Sequence, residues 1–344
     1  MDVTLSEVMR DAVPYALPLR HPFRGVRVRE GMLIRGPSGW GEFAPFDDYP
    51  PPSAGRWLAA AVEAAFGTWP EPLRSRIPVN AIIPAVDAMQ AAALARDAVL
   101  EFGCTTIKVK VAQRGEVLAD DEARVASVRD AADIAFRSVG PHSPGEGVRL
   151  RIDANGGWTV DEAGRALNRL SAYGLEYVEQ PCGTVEECAQ VRSKVDVPIA
   201  LDESVRFSQR GAFTAADIVI VKVPPLGGVR GALDLARGWG GPVVVSGALD
   251  SAVGLSAGVA LAAALAGDPP ACGLGTGMLL AHDVVSDPRV PRDGHLDVGR
   301  VSPDLDALMA ARDRLGDERA RWWRLRLADA WEAGGAALVA DLAG

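Results

Sequence analysis

Residues 148–204 read VRLRIDANGGWTVDEAGRALNRLSAYGLEYVEQPCGTVEECAQVRSKVDVPIALDES. Three short apolar runs, VRLRID (148–153), LEYVE (175–179) and VPIALD (197–202), are separated by two amphipathic stretches, TVDEAGRALNRLSAYG (159–174) and TVEECAQVRSKV (184–195). Runs alternating with helical patterns at this spacing predict parallel βαβ units. Parallel neighbours need a crossover of about a dozen residues or more, and the intervening stretches supply it. The same alternation extends in both directions. VNAII (79–83) and TTIKVKV (105–111) precede it, and DIVIVKV (217–223), PVVVS (242–246) and CGLGT (272–276) follow. Helical patterns at 86–103, 120–133, 228–240 and 251–267 fill most remaining gaps, several closing on a Gly suited to a left-handed C-cap. Eight strands with crossover helices, and no Gly-rich nucleotide-binding turn after the first, predict an α/β fold of TIM type, a (β/α)7β barrel, rather than an open sheet.

Outside this run the chain changes character. Residues 1–77 are rich in Pro, Gly and aromatics, with strand-like RGVRVREGMLIRG (24–36) and turn-rich GWGEFAPFDDYPPPS (39–53), which predicts a separate α+β unit. The barrel is expected over 78–292. Residues 293–344, irregular and then helical and Arg-rich through DERARWWRLRLADAWEAG (317–334), are expected to complete the N-terminal unit with Trp322, Trp323 and Trp331 partly buried.

Composition limits the function classes. The formal charge of −9 over 344 residues has the wrong sign for a nucleic-acid surface. The most apolar segment, GLSAGVALAAALAG (254–267), is shorter than the roughly 20 residues that span a bilayer. The N-terminus has acidic residues where a signal peptide needs basic ones, and four Cys without metal-ribbon spacing read as reduced packing residues. A cytoplasmic protein without nucleic-acid or membrane partners is expected, as a monomer or small homo-oligomer.

Of the 36 basic residues only four are Lys, at 108, 110, 194 and 222. Arg stays protonated, whereas a Lys amine can lose its proton when burial or a neighbouring cation lowers its pKa. Lys194 lies on a polar stretch, but Lys108, Lys110 and Lys222 all lie in strand-like segments. Lys108 and Lys110 are two apart, so both point to one face of their strand, where two ammonium groups would lower the proton affinity of one.

Asp153, Glu179 and Asp202 close three consecutive strands, 26 and 23 residues apart. Residues at the carboxyl ends of barrel strands face the active site. One Asp there commonly caps the following helix. Three side by side cannot remain ionised in a cleft without a cation, and an all-oxygen set suits Mg2+. Asn155 and Glu203 are placed to orient these ligands. Lys222 ends the sixth strand, with the carboxylates between it and the lysine pair. A metal flanked by two amines can take a proton from carbon beside a carboxylate while the metal stabilises the resulting anion.

These residues resemble the enolase superfamily, muconate-lactonizing subgroup. Its KxK motif matches Lys108-Val-Lys110, its metal ligands Asp153, Glu179 and Asp202, and its opposing lysine Lys222. Within the subgroup, FRGVRVREGMLIRGPSGWGEFAPFDDY (23–49), EYVEQPC (176–182), KVPPLGGVR (222–230), VVVSGALDSAVG (243–254) and CGLGTGMLLAHDVV (272–285) are most similar to the o-succinylbenzoate synthase family of actinobacterial type. The resemblance implies a Mg2+-dependent lyase, with Mn2+ able to substitute, acting on a small carboxylate in menaquinone synthesis. The reaction it implies is dehydration of 2-succinyl-6-hydroxy-2,4-cyclohexadiene-1-carboxylate to 2-succinylbenzoate. Lys110 is the implied base and then acid, Lys222 a cation facing the delocalised anion, and Lys108 the group that keeps Lys110 poised. The segment 18–25, with Arg20 and Arg24, resembles a mobile segment that closes over substrate. Ser246, Gly247 and Asp250 are implied to lie by the succinyl end.

Two features depart from the family's pattern. The seventh strand ends in Ser246-Gly247 rather than two small hydroxyl residues, and the stretch after Glu203 is shortened, leaving little room for a fifth helix. The same lysines and metal serve N-acylamino acid racemases and dipeptide epimerases, so catalytic residues alone do not separate the two activities. The synthase reading rests on the N-terminal and seventh-strand segments. Against a non-catalytic barrel stands the intact set of three acids and two opposing lysines.

Overall fold

The computed structural model describes residues 3–23, 25–141, 146–206 and 215–342. The chain opens with α1 (Leu5–Arg10), whose N-cap Thr4 and Glu7 form a reciprocal capping box. Strands β1 (Val13–Phe23), β2 (Val26–Gly36) and β3 (Gly39–Phe43) follow as an antiparallel sheet, covered by helix α2 (Pro51–Phe66). Gly41 permits this covering, because a Cβ there would stand 1.9 Å from the Ala61 carbonyl oxygen of α2. Residues 18–23, expected to belong to a mobile segment, are part of β1, whose last residue Phe23 pairs with Val26 of β2.

The barrel strands are β5 (Ala81–Ile83), β6 (Thr106–Lys110), β7 (Arg149–Asp153), β8 (Leu175–Glu179), β9 (Ile199–Leu201), β10 (Ile218–Val221) and β11 (Val243–Val245), preceded by the short β4 (Arg76–Pro78). All seven pair in parallel in chain order. Their crossovers include α3 (Ala88–Leu100), α4 (Leu118–Ser138), α5 (Val160–Leu170), α6 (Val185–Arg192), α7 (Val229–Trp239) and α8 (Ala252–Ala264). Thr159 with Glu162 and Thr184 with Glu187 make capping boxes at the starts of α5 and α6. The expected Gly terminators take left-handed conformations at Gly103, Gly174, Gly240 and Gly267.

The eighth expected strand, CGLGT, is not continuous. It makes only isolated parallel bridges, Val79 with Cys272 and Ser246 with Gly273, before a 3-10 turn at Gly275–Leu279. Its glycines give little strand propensity. They also let the backbone close the barrel at short range, since a Cβ on Gly273 would meet the Ser246 hydroxyl oxygen at 2.5 Å. The Cys272 backbone bonds Pro78 and Asn80, and the Gly273 backbone bonds Val245 and Gly247, so the sheet is joined end to end. The shortened stretch after β9 forms a 3-10 turn at Glu203–Arg206, and the rest of it, 207–214, lies outside the described residues.

The tail supplies β12 (His295–Asp297), antiparallel to β4, and helices α9 (Leu305–Leu315), α10 (Asp317–Ala330) and α11 (Ala336–Asp341). Helix α9 packs on β1, while α10 and α11 pack on α2. Trp322 and Trp331 are half-buried as expected, but Trp323 is fully buried and its indole N–H donates to Glu30 Oε2 at 2.9 Å.

Candidate active site

Strand register places the charged residues in one layer at the carboxyl ends of the barrel strands. Lys110 pairs with Asp153, and Asp153 with Glu179. Asp202 and Lys222 each follow the last residue of their strands. Because side chains alternate, Lys108 and Lys110 both face the barrel interior. These six residues are between 1% and 7% exposed, so their charges must be neutralised by one another or by a bound ion.

The lysines provide that neutralisation. Lys108 Nζ lies 2.7 Å from Glu179 Oε2 and 3.3 Å from Asp153 Oδ2. Lys110 Nζ donates to Asp153 Oδ2 at 2.5 Å and to Asn155 Oδ1 at 2.6 Å. Lys222 Nζ is paired with Asp202 Oδ2. Burial alone would lower the Lys108 ammonium, but Glu179 and Asp153 outweigh it and hold it above the ordinary lysine value. The lowering expected of one member of the lysine pair is therefore not at Lys108, because two carboxylates lie closer to it than repulsion from one ammonium can offset. Burial and then the Asp153 charge push the Glu179 carboxyl up to about 7, against the pull of Lys108.

Asn155 and Glu203 lie beside the carboxylate row. Asn155, in a left-handed conformation that asparagine tolerates, donates its backbone N–H to Asp153 Oδ1 and its amide to Glu203 Oε1. Gln180, not singled out from sequence, supports the Asp202 segment: its Oε1 accepts from the Asp202 and Ser204 backbone N–H groups, while its Nε2 donates to Ser204 Oγ and the Cys182 carbonyl. Its place directly after Glu179, in YVEQP, was the available signal.

Among the described residues, no three His, Cys, Asp or Glu side chains converge as a metal-binding group. The Lys108 and Lys222 ammoniums lie against the three carboxylates instead. The donor set nonetheless fits a hard divalent cation, being all oxygen, buried and carried at the ends of three adjacent strands. Glu179 Oε1 is buried with no hydrogen-bond partner among the described residues, which is an acceptor directed into this layer without a donor.

A cavity of about 30 Å3, large enough for about one water molecule, lies over the layer, lined by Lys108, Lys110, Asp153 and Lys222. Phe23 and Phe46 of the N-terminal unit and Ile82 and Leu249 of the barrel form its apolar walls, and Ser246, Gly247 and Thr276 its polar side. The Phe23 ring centroid is 5.0 Å from Lys110 Nζ, a cation–π contact. Ser246 and Gly247 thus line this cavity. Asp250 does not line the cavity: its Oδ2 accepts the Ala248 backbone N–H at 2.8 Å, folding back on its own loop. Arg20 is exposed on β1, and Arg24 lies outside the described residues.

Residues 90–307 match the enolase C-terminal domain-like family and residues 14–65 the enolase N-terminal domain-like family. An o-succinylbenzoate synthase of Thermobifida fusca is 51% identical over 320 residues, covering 90% of this chain and 96% of that protein. The o-succinylbenzoate synthase of Mycolicibacterium smegmatis is 47% identical, covering 93% and 94% respectively. Among solved structures, a muconate lactonizing enzyme of Pseudomonas fluorescens superposes with a TM-score of 0.72 at 19% identity, covering 87% of this chain and 97% of that one. The L-Ala-D/L-Glu epimerase of Bacillus subtilis does so at 0.67 and 21%, covering 85% and 96%. These last two likenesses speak to the fold alone.

Proposed function

The chain belongs to the enolase superfamily, and from that premise we propose that it acts as an o-succinylbenzoate synthase, a carbon–oxygen lyase of menaquinone synthesis, as its relatives' identity over most of its length supports. The reaction is dehydration of 2-succinyl-6-hydroxy-2,4-cyclohexadiene-1-carboxylate to 2-succinylbenzoate. The observation that carries the residue roles is the row of buried carboxylates with Lys108 and Lys110 paired at one end and Lys222 at the other.

In this reading the neutral Lys110 amine takes the proton from the ring carbon bearing the carboxylate. The electron pair of that C–H bond becomes delocalised, and the cationic Lys222 faces the negative charge. Lys110, now protonated, returns its proton to the departing hydroxide on the same face. The C–O bond breaks, the ring becomes aromatic, and one water leaves without any change in the enzyme. Lys108, held protonated by Glu179 and Asp153, stays out of proton transfer and keeps a positive charge beside Lys110. Phe23 and Phe46 screen the site from water. Asp153, Glu179 and Asp202 are the residues suited to hold Mg2+, or Mn2+ in its place, with Asn155, Glu203 and Gln180 orienting them. The ion would supply positive charge opposite the substrate carboxylate as charge builds there.

Lysines on both sides of one layer also suit proton exchange on opposite faces of an N-succinylamino acid. The test presents both substrates to the purified protein with Mg2+. Loss of the cyclohexadiene absorbance is expected, and no turnover of that compound alongside racemisation of N-succinylamino acids would overturn the reading. Among the described residues no helix is long and apolar enough to cross a membrane. A cytoplasmic enzyme working on a soluble carboxylate, as a monomer or small homo-oligomer, is consistent with the pathway proposed.

A further inference from the structure

Residues 246–249 contribute to the cavity, yet the loop they belong to is fastened from the N-terminal unit. Arg29 of β2 is 3% exposed. Its Nε donates to the Leu249 carbonyl at 3.1 Å, its Nη2 donates to the Ala44 carbonyl, and its guanidinium lies 4.3 Å from the Phe46 ring centroid. Leu249 has φ of 64°, a left-handed conformation that is strained for leucine and persists only where surrounding contacts impose it. Two further contacts fix the loop. Asp250 Oδ2 accepts the Ala248 N–H, and Glu42 of β3 accepts the Ser251 N–H at 3.0 Å as well as the Ser251 hydroxyl.

A buried guanidinium is costly, and apolar side chains of similar volume often serve stability equally well. Arg29 thus engages the Leu249 carbonyl and the Ala44 carbonyl, two residues before Phe46, and both Leu249 and Phe46 border the cavity. Those residues form two of its apolar walls. We propose that Arg29 is a positioning residue that sets the shape of the substrate pocket by tying the Leu249 loop of the barrel to the Phe46 segment of the N-terminal unit. Resting on the functional reading above, this assigns the tie to recognition of the substrate's apolar part. Arg29 directs its hydrogen bonds to the Leu249 and Ala44 carbonyls, so it acts on where the substrate sits rather than on proton transfer.

The test uses Arg29→Lys, which keeps the charge but cannot reach both carbonyls with a planar fork, and Arg29→Met, which removes the charge. Both are expected to raise KM by about tenfold while changing kcat by less than about threefold, because misplaced walls weaken binding of substrate. Independently of turnover, hydrogen exchange of backbone amides at 246–251 should accelerate at least about tenfold, with β10 unchanged. If Arg29→Met does not fold, Arg29→Lys carries both readings. Wild-type KM and exchange in Arg29→Lys would overturn the proposal, as would a fall in kcat at constant KM or acceleration spread over the whole barrel. If the wild type fails to dehydrate the cyclohexadiene substrate while exchange in Arg29→Lys still accelerates locally, the functional reading fails and the tie stands.

Discussion

Replacing Glu42 by Gln should change how the protein's stability depends on pH. Glu42 is 7% exposed, on β3, and receives the Ser251 N–H and hydroxyl at the start of α8. Burial is the main cause that pushes its carboxyl from 4.5 to about 7, followed by the Asp250 charge, with the Ser251 contacts and Arg29 pulling the other way. Tyr15 also faces it. An acid whose folded value is raised binds more protons folded than unfolded between about 4.5 and 7, so stability falls as pH rises through that window. At about 1.4 kcal/mol per pH unit the full difference is about 3 kcal/mol, of which about 2–3 falls between pH 5 and 8. With an unfolding entropy of about 2.1 cal/mol/K per residue over 344 residues, this corresponds to about 3–4 °C in Tm. Glutamine keeps an acceptor for Ser251 but does not titrate. The assay is differential scanning calorimetry of both proteins at pH 5, 6, 7 and 8. The difference Tm(Glu42→Gln) minus Tm(wild type) should grow by about 3–4 °C across the series. Parallel curves, or a difference that shrinks with pH, would mean that the Glu42 carboxyl is not raised in the folded protein.

Gln180→Leu keeps the volume but removes the acceptor for the Asp202 and Ser204 N–H groups. Affinity for Mn2+, read by magnetic resonance titration without substrate, should fall about 10–100-fold. Trp323→Ala opens a cavity in the core between the N-terminal sheet and the tail helices and abandons the bond to Glu30. It should cost about 3–5 kcal/mol, or about 4–7 °C by the same conversion in calorimetry, while leaving the site intact.

The charged layer was legible because its elements repeat. Each βα unit returns the chain to the same barrel end, so Asp153, Glu179 and Asp202 could be placed side by side by counting. The scarcity of lysine drew attention to Lys108, Lys110 and Lys222. What pairs with what was less legible: Lys108 is secured by two carboxylates rather than loosened by its neighbour, a balance of distances that spacing does not reveal. The apolar walls were hidden for a different reason. Phe23, Phe46 and Arg29 belong to the N-terminal unit, and their meeting with Leu249 depends on how that unit docks, which no local periodicity encodes. The eighth strand is reduced to two bridges because CGLGT occupies the right place in the repeat while its glycines serve barrel closure rather than a full ladder.

In the proposed reaction the Lys110 amine moves the proton. Lys110→Arg preserves a cation beside Asp153 but substitutes a group that stays protonated. Turnover of the cyclohexadiene substrate by this variant, measured at saturating Mg2+ against the wild type, should fall by at least about 1,000-fold. Activity within about tenfold of the wild type would contradict the assignment.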